Sequence, residues 1–526
     1  MPEAEYVVAK TTDLKDGQMK PITVGNTKIL LVRLDGTFYA IGSSCPHYGA
    51  PLEEGVLCGD RIVCPWHESC FNVTNGALLE PPALDDLPQF NVRISSNDLL
   101  VSVPEESPDR HTPAMVIADL EADSRTFILL GAGAAGCSAA QTLRQIGFQG
   151  RIVMIGLEGR VPYDRPSLSK EYLAGKLQAD ALPLRPPEFF VQHGIERLNR
   201  RVVTVAATAK SITFADGSSM RYDALLLATG GQPRTLDVPG SDLSNIFLLR
   251  TYEDADRIIE AAQPGNRVVI VGDSFIGMEA AASLTQRQLQ VAVVAPGAIP
   301  FEKVFGKQIG EMLKQQHVQH GIQFHTGKVS QFEGEGKVRR VILNNGEKLD
   351  ADLVIIGVGV RPATDYVQGM TLNPDGGVPV NPYLQAADGL YAAGDIAVFP
   401  DPRTGKPVRI EHWRLAEQHG RVAAHNMVGH ATKFDSVPFF WTSQFDLQIN
   451  YVGHADAWDE IIVDGDIAKA EFIAYYVKDN RVLAAAGCKR DQQICALHEL
   501  MQRNTVPRPD DLRNGKVDLL SLSKTP

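Results

Sequence analysis

Residues 45–70, CPHYGAPLEEGVLCGDRIVCPWHESC, gather four cysteines and two histidines in one short stretch of a 526-residue chain. Those residue types admit zinc, a disulfide, or iron and sulfur. The spacing helps to separate them: Cys45-x-His47 is followed after sixteen residues by Cys64-x-x-His67, so each tight loop offers one thiol and one imidazole. A [2Fe–2S] centre with two Cys on one iron and two His on the other needs that arrangement. A zinc finger wants a Cys pair followed by a His pair at helical spacing, which is absent. Cys58 and Cys70 then read as small packing residues.

A second chemistry starts at Gly131-x-Gly133-x-x-Gly136, after the buried run TFILL and at the head of an Ala-rich helix. Backbone amides there can hold a pyrophosphate at the positive helix end. The design returns in RVVIVGDSFIGMEAAASL, where Gly272 and Gly277 are kept but Ser274 replaces the middle glycine. After the following run VAVV, the acid expected to hold a ribose is replaced by Ala295-Pro296, and no Arg or Lys stands beside it to receive a 2′-phosphate. A nicotinamide site is expected, for NADH rather than NADPH.

Several elements must position these groups. Residues 1–104 are a run of short strands, with KILLVRL and TFYAIG joined at Asp35-Gly36, and read as an all-β unit. Residues 105–124 carry two prolines and six acids without periodicity, and read as a linker; if flexible, they span roughly 25 Å. Residues 125–248 and 377–436 form a first doubly wound α/β nucleotide-binding domain, 249–376 a second, and 437–526 an α+β domain. The fold class is therefore multidomain. The formal charge of −12 disfavours nucleic acid and anionic membranes. No apolar run is long enough to span a bilayer, and isolated Cys137, Cys488 and Cys495 fit a reducing compartment, so the chain is expected to be cytoplasmic. A homodimer is allowed.

CPHYGAPL and CPWHESCFNVTNG resemble the two cluster loops of Rieske proteins, in particular the soluble ferredoxin type. The clamp disulfide of the respiratory type is missing, since Ala50 and Trp66 stand at its positions. VPYDRPSLSK, LLLATGGQPR and GLYAAGDIA resemble FAD-binding signatures of ferredoxin reductases that serve ring-hydroxylating dioxygenases, and of apoptosis-inducing-factor-like flavoproteins. The resemblance implies a glutathione-reductase-like pair of nucleotide domains. It assigns Glu158 to the adenosine ribose, Arg165 and Lys170 to the flavin side, Arg234 to a phosphate or ring contact, and Asp395, beside Gly394, to the ribityl chain. Thr229 and Gly230 join the FAD set. Glu279 matches a glutamate near the nicotinamide, and Trp413, in EHWRLAEQHG, could stack there or carry electrons.

Other flavoenzyme classes lose ground by absence. SLSKEYL has no cysteine to serve a disulfide reductase or peroxidase, and Glu411, His412 and His419 are a poor match to a mononuclear iron site. The expected function is an NAD(P)H:acceptor oxidoreductase, in which NADH, FAD and a Rieske cluster form a relay to a protein acceptor such as a ferredoxin or oxygenase. The alternative is a redox sensor of apoptosis-inducing-factor type with slow turnover.

Overall fold

The hairpin at Asp35-Gly36 is present: Thr27–Leu34 pairs antiparallel with Thr37–Gly42, and both turn residues have positive φ, 48° and 77°. The computed structural model describes residues 3–515 and 517–524. Gln18–Val24 and Gln89–Phe90 complete that sheet, and Glu3–Lys10, Asp98–Pro104 and Val92–Ser95 form a second. Apolar residues of the two, such as Leu31 and Val101, share a core. A smaller sheet of Val56–Cys58, Arg61–Val63, Cys70–Asn72 and Leu78–Glu80 carries the Cys/His loops.

The two glycine loops head nearly identical units. In the first, strand Thr126–Leu130 lies between Arg151–Gly156 and Ala224–Leu227; in the second, Arg267–Val271 lies between Gln290–Ala295 and Leu353–Ile356. All four pairings are parallel, as helical crossovers require. Helix Ala134–Gln145 follows the first loop and helix Phe275–Gln286 the second. The domain seams differ from the expected 248/249 and 376/377. Ile246–Leu248 already pairs with Leu353–Ile356, and by Val360–Pro362, which pairs with Gly231–Pro233, the chain has returned to the first unit.

The final unit is a five-stranded antiparallel sheet, Phe439–Gln444, Leu447–Gly453, Arg481–Cys488, Glu471–Lys478 and Glu460–Asp466 in spatial order, backed by helix Asp491–Gln502. The segment 105–124 is not the loose tether its composition suggests. His111 exchanges two backbone hydrogen bonds with Asp86, while the Val116 and Asp119 amides donate to the carbonyls of Arg144 (3.0 Å) and Gln149 (2.8 Å). No helix among the described residues is long and apolar enough to cross a membrane.

Candidate electron-transfer site

The two Cys/His loops close in the same way. The Cys45 amide donates to the Ala50 carbonyl and the Cys64 amide to that of Ser69, both at 2.8 Å, so each loop returns on itself within a few residues. The Cys45 and Cys64 thiols reach hydrogen-bonding distance of each other, with the amides of His47 and Tyr48 on one sulfur and those of Trp66 and His67 on the other. His47 Nδ1 and His67 Nδ1 face each other at 3.1 Å. Burial holds both imidazoles neutral, pushing His47 down to about 3, as nitrogen ligands require. Among the described residues no three His, Cys, Asp or Glu side chains converge as on a single ion. A thiol pair and an imidazole pair instead fit the two irons of a [2Fe–2S] cluster. Cys58 and Cys70 are buried beside Cys495 in an apolar cluster, as packing residues are.

A cavity of about 990 Å³ lies between the nucleotide-binding units. Gly131, Gly133, Glu158, Arg165 and Lys170 line it from one side, and Thr229, Gly230, Gly394, Asp395 and Trp413 from the other. Gly131 has φ +128°, and a Cβ there would lie 2.0 Å from the Ala228 carbonyl oxygen; a Cβ on Gly133 would meet nothing within 4 Å. That free space at the helix start suits a pyrophosphate, and the cavity therefore fits FAD. Gly136 is packing instead, since a Cβ there would lie 1.9 Å from the Gly131 carbonyl oxygen. Glu158 is held by Arg165 Nη2 at 2.7 Å and by the Tyr163 hydroxyl. Arg250 donates to Asp395 at 3.0 Å, and Thr229 Oγ1 to the Ala363 carbonyl at 2.7 Å. Arg234 is the exception: exposed, it donates to the Val360 carbonyl at 3.1 Å and does not line the cavity, because its strand has turned outward to pair with Val360–Pro362.

SLSKEYL starts in a 3₁₀ turn, Pro166–Ser169, rather than an α-helix, and this turn delivers Lys170 to Glu279. Their charges meet at 2.9 Å while both side chains are nearly buried. Ser169 Oγ and Thr442 Oγ1 donate to the two carboxylate oxygens at 2.6 and 2.7 Å, so Glu279 is fully engaged. His412 also lines the cavity; burial pushes it down to about 3, and its Nδ1 has no hydrogen-bond partner.

The nicotinamide half is plainer. Gly272 repeats the conformation of Gly131, with φ +115° and the Gly357 carbonyl where a Cβ would go, and Gly277 packs on the Gly272 carbonyl. Neither lines the cavity, whereas Ser274, Phe275 and Glu279 do. Ser274 caps its helix with φ −95° and ψ −172°, close to the −89° and −158° of Gly133, so the exchange changes the side chain rather than the backbone.

A strand of the C-terminal unit joins the two sites. Along strand Phe439–Gln444, Phe440 and Thr442 turn toward helix Phe275–Gln286, while Trp441 lies against His67 with ring centroids 4.2 Å apart, and also lines the flavin-sized cavity. Strand alternation produces that split. Tyr48 stacks on His47 at 3.9 Å and hydrogen-bonds Asp164 and Ser167 of the first nucleotide-binding unit. The Lys170 charge is felt at His67, helping to keep that ring neutral. An aromatic-rich stretch, PFFWTSQF, was the one available signal for Trp441.

Residues 125–420 match the pyridine nucleotide-disulphide oxidoreductase model, and the chain belongs to that family. A Rieske [2Fe-2S] domain matches over 4–91 and a reductase C-terminal domain over 439–523, which makes the chain an iron–sulfur flavoprotein oxidoreductase. It is 38% identical to apoptosis-inducing factor 3 of Homo sapiens, over 99% of this chain and 87% of the relative. Putidaredoxin reductase of Pseudomonas putida is 32% identical over 74% of this chain and 95% of its own length. Among solved structures, the covalent putidaredoxin reductase–putidaredoxin complex superposes with TM-score 0.73 at 31% identity, covering 76% of this chain and 99% of that one. Electron transfer from a nicotinamide nucleotide through flavin is the activity class that the matched domains define for this chain.

Proposed function

We propose that the chain is an NADH-dependent reductase that passes electrons through FAD to its own Rieske cluster and then to an external protein acceptor. The observation that carries this reading is Trp441, which lines the flavin-sized cavity and lies against the His67 ring. When bound, FAD supplies the change from hydride to single electrons, and the cluster supplies one-electron storage.

The residues of the chain do the placing. The amides around Gly131 and Gly133 suit the pyrophosphate, Glu158 the adenosine ribose, and Asp395 the ribityl chain. Glu279, locked by Ser169, Lys170 and Thr442, fixes an ammonium in the cavity wall on the side nearest the cluster. Phe275 and Phe440, 5.0 Å apart, give the cavity an apolar wall beside Glu279. The absence of a cation near Ala295 favours NADH over NADPH. The putidaredoxin reductase–putidaredoxin complex supports a protein as the acceptor, and seven free, buried cysteines suit a cytoplasmic protein.

Stopped-flow mixing with NADH, followed by EPR of the reduced cluster, tests the relay. Flavin reduction without a cluster signal would exclude it. A slow-turnover redox sensor is the second reading, favoured by Ser274 in the nicotinamide loop. Steady-state turnover with a one-electron acceptor separates the two.

A further inference from the structure

We infer that the Rieske domain is a permanently seated partner: it stays docked through the catalytic cycle and closes the face of the reductase to any free ferredoxin. The inference rests on the relay reading above and adds to it how the cluster is presented.

The contacts are those of a buried seam rather than of a tethered encounter. Arg414, at the start of helix Trp413–Met427, is fully buried and donates to two Rieske carbonyls, Pro81 at 2.8 Å and Glu68 at 3.1 Å. Glu80 of the Rieske domain faces the same guanidinium and accepts from Gln418 at 2.7 Å. Arg185 and Asp85 meet at 2.7 Å with side chains 7% and 4% exposed. From the C-terminal unit, Cys495 donates its thiol to the Cys64 carbonyl at 3.4 Å and shares an apolar cluster with Val56, Val63 and Cys70. Pulling the domain away would break these charge-assisted hydrogen bonds and expose that apolar cluster to water. The segment 105–124 is itself fastened by backbone hydrogen bonds, so it adds no slack. Because the docked domain lies against Trp441, which lines the cavity, and holds Asp164 through Tyr48, a second iron–sulfur protein has no access to that face.

The test uses the full-length protein loaded with FAD and cluster. After rapid mixing with NADH, the rate of cluster reduction should be the same in buffer and in sucrose solutions of rising viscosity, and should not change with an excess of oxidised plant-type [2Fe–2S] ferredoxin. Arg185→Glu, which sets a second carboxylate against Asp85, should slow cluster reduction about tenfold or more as docking gives way to tethered encounter. It should also make the rate viscosity-dependent, and Arg185→Met with Asp85→Leu should restore the parent behaviour. A parent rate that falls in proportion to viscosity, or that saturably declines with added ferredoxin, would overturn fixed docking. If NADH reduces the flavin but never the cluster, the relay itself is wrong.

Discussion

The Trp441 indole and the His67 imidazole lie 4.2 Å apart, their planes inclined at 43°, on the wall that separates the flavin-sized cavity from the cluster loops. Replacing the indole by a methyl group leaves that space to water. Trp441→Ala should therefore slow NADH-driven cluster reduction by about tenfold or more, ~1.4 kcal/mol in barrier, with flavin reduction far less affected. Stopped-flow traces at the flavin and cluster wavelengths resolve the two steps, and equal slowing of both would reject the indole as the link.

Cluster chemistry offers a direct check on the ligands. His67→Cys replaces a neutral ring with a thiolate and should lower the reduction potential toward the plant-type value of about −400 mV. Redox titration followed by EPR gives the number. Zinc in place of iron on metal analysis of the parent protein would remove the premise.

Lys170 and Glu279 form a nearly buried ion pair with added hydroxyl donors. Removing one partner strands the other, so Glu279→Ala should destabilise the protein by about 3–5 kcal/mol. The double variant Lys170→Met, Glu279→Leu should recover much of that loss, while NADH-dependent flavin reduction stays impaired. Chemical denaturation of the set measures the first effect and stopped flow the second.

Glu417 is fully buried on helix Trp413–Met427; burial pushes its pKa well up, helped by Asp164, and Oε2 has no partner. In the unfolded chain this carboxyl ionises near 4.5. The folded state holds the proton to higher pH, so the group costs stability progressively as pH rises above 4.5 toward its folded pKa. Glu417→Gln should then melt near the parent temperature at pH 4.5 and increasingly above it toward pH 8. A difference in melting temperature that does not grow with pH would show that Glu417 ionises without penalty.

Nucleotide preference should be shallow. Neither an acid nor a cation follows strand Gln290–Ala295, Lys307 lies 3.8 Å from Glu311, and Lys303 faces Asp273. The kcat/KM ratio of NADH to NADPH is expected to be about tenfold or less, ~1.4 kcal/mol. A strong NADPH preference would mean that one of these lysines leaves its partner for the 2′-phosphate.

What could be read from the sequence was local. Cys45, His47, Cys64 and His67 sit on loops that close within a few residues, and Gly131 and Gly272 mark turns whose geometry bars a side chain, so their neighbourhoods are encoded where they stand. The seam was not legible, because its partners are remote: Arg414 and Pro81 are 333 positions apart. Composition also misled at 105–124, where prolines and acids say nothing of backbone amides that find carbonyls on a neighbouring domain. Arg234 lies outside the cavity for a similar reason, since its motif gives the residue type but not the strand pairing that turns it outward.

The two cluster loops are covered unevenly. His67 is 5% exposed, with Trp441 against its ring, and Tyr48 lies across His47 while tied to Asp164. Tyr48 nonetheless keeps 44% of its surface in water, so the cluster loops meet solvent at Tyr48 and the flavin-sized cavity at Trp441.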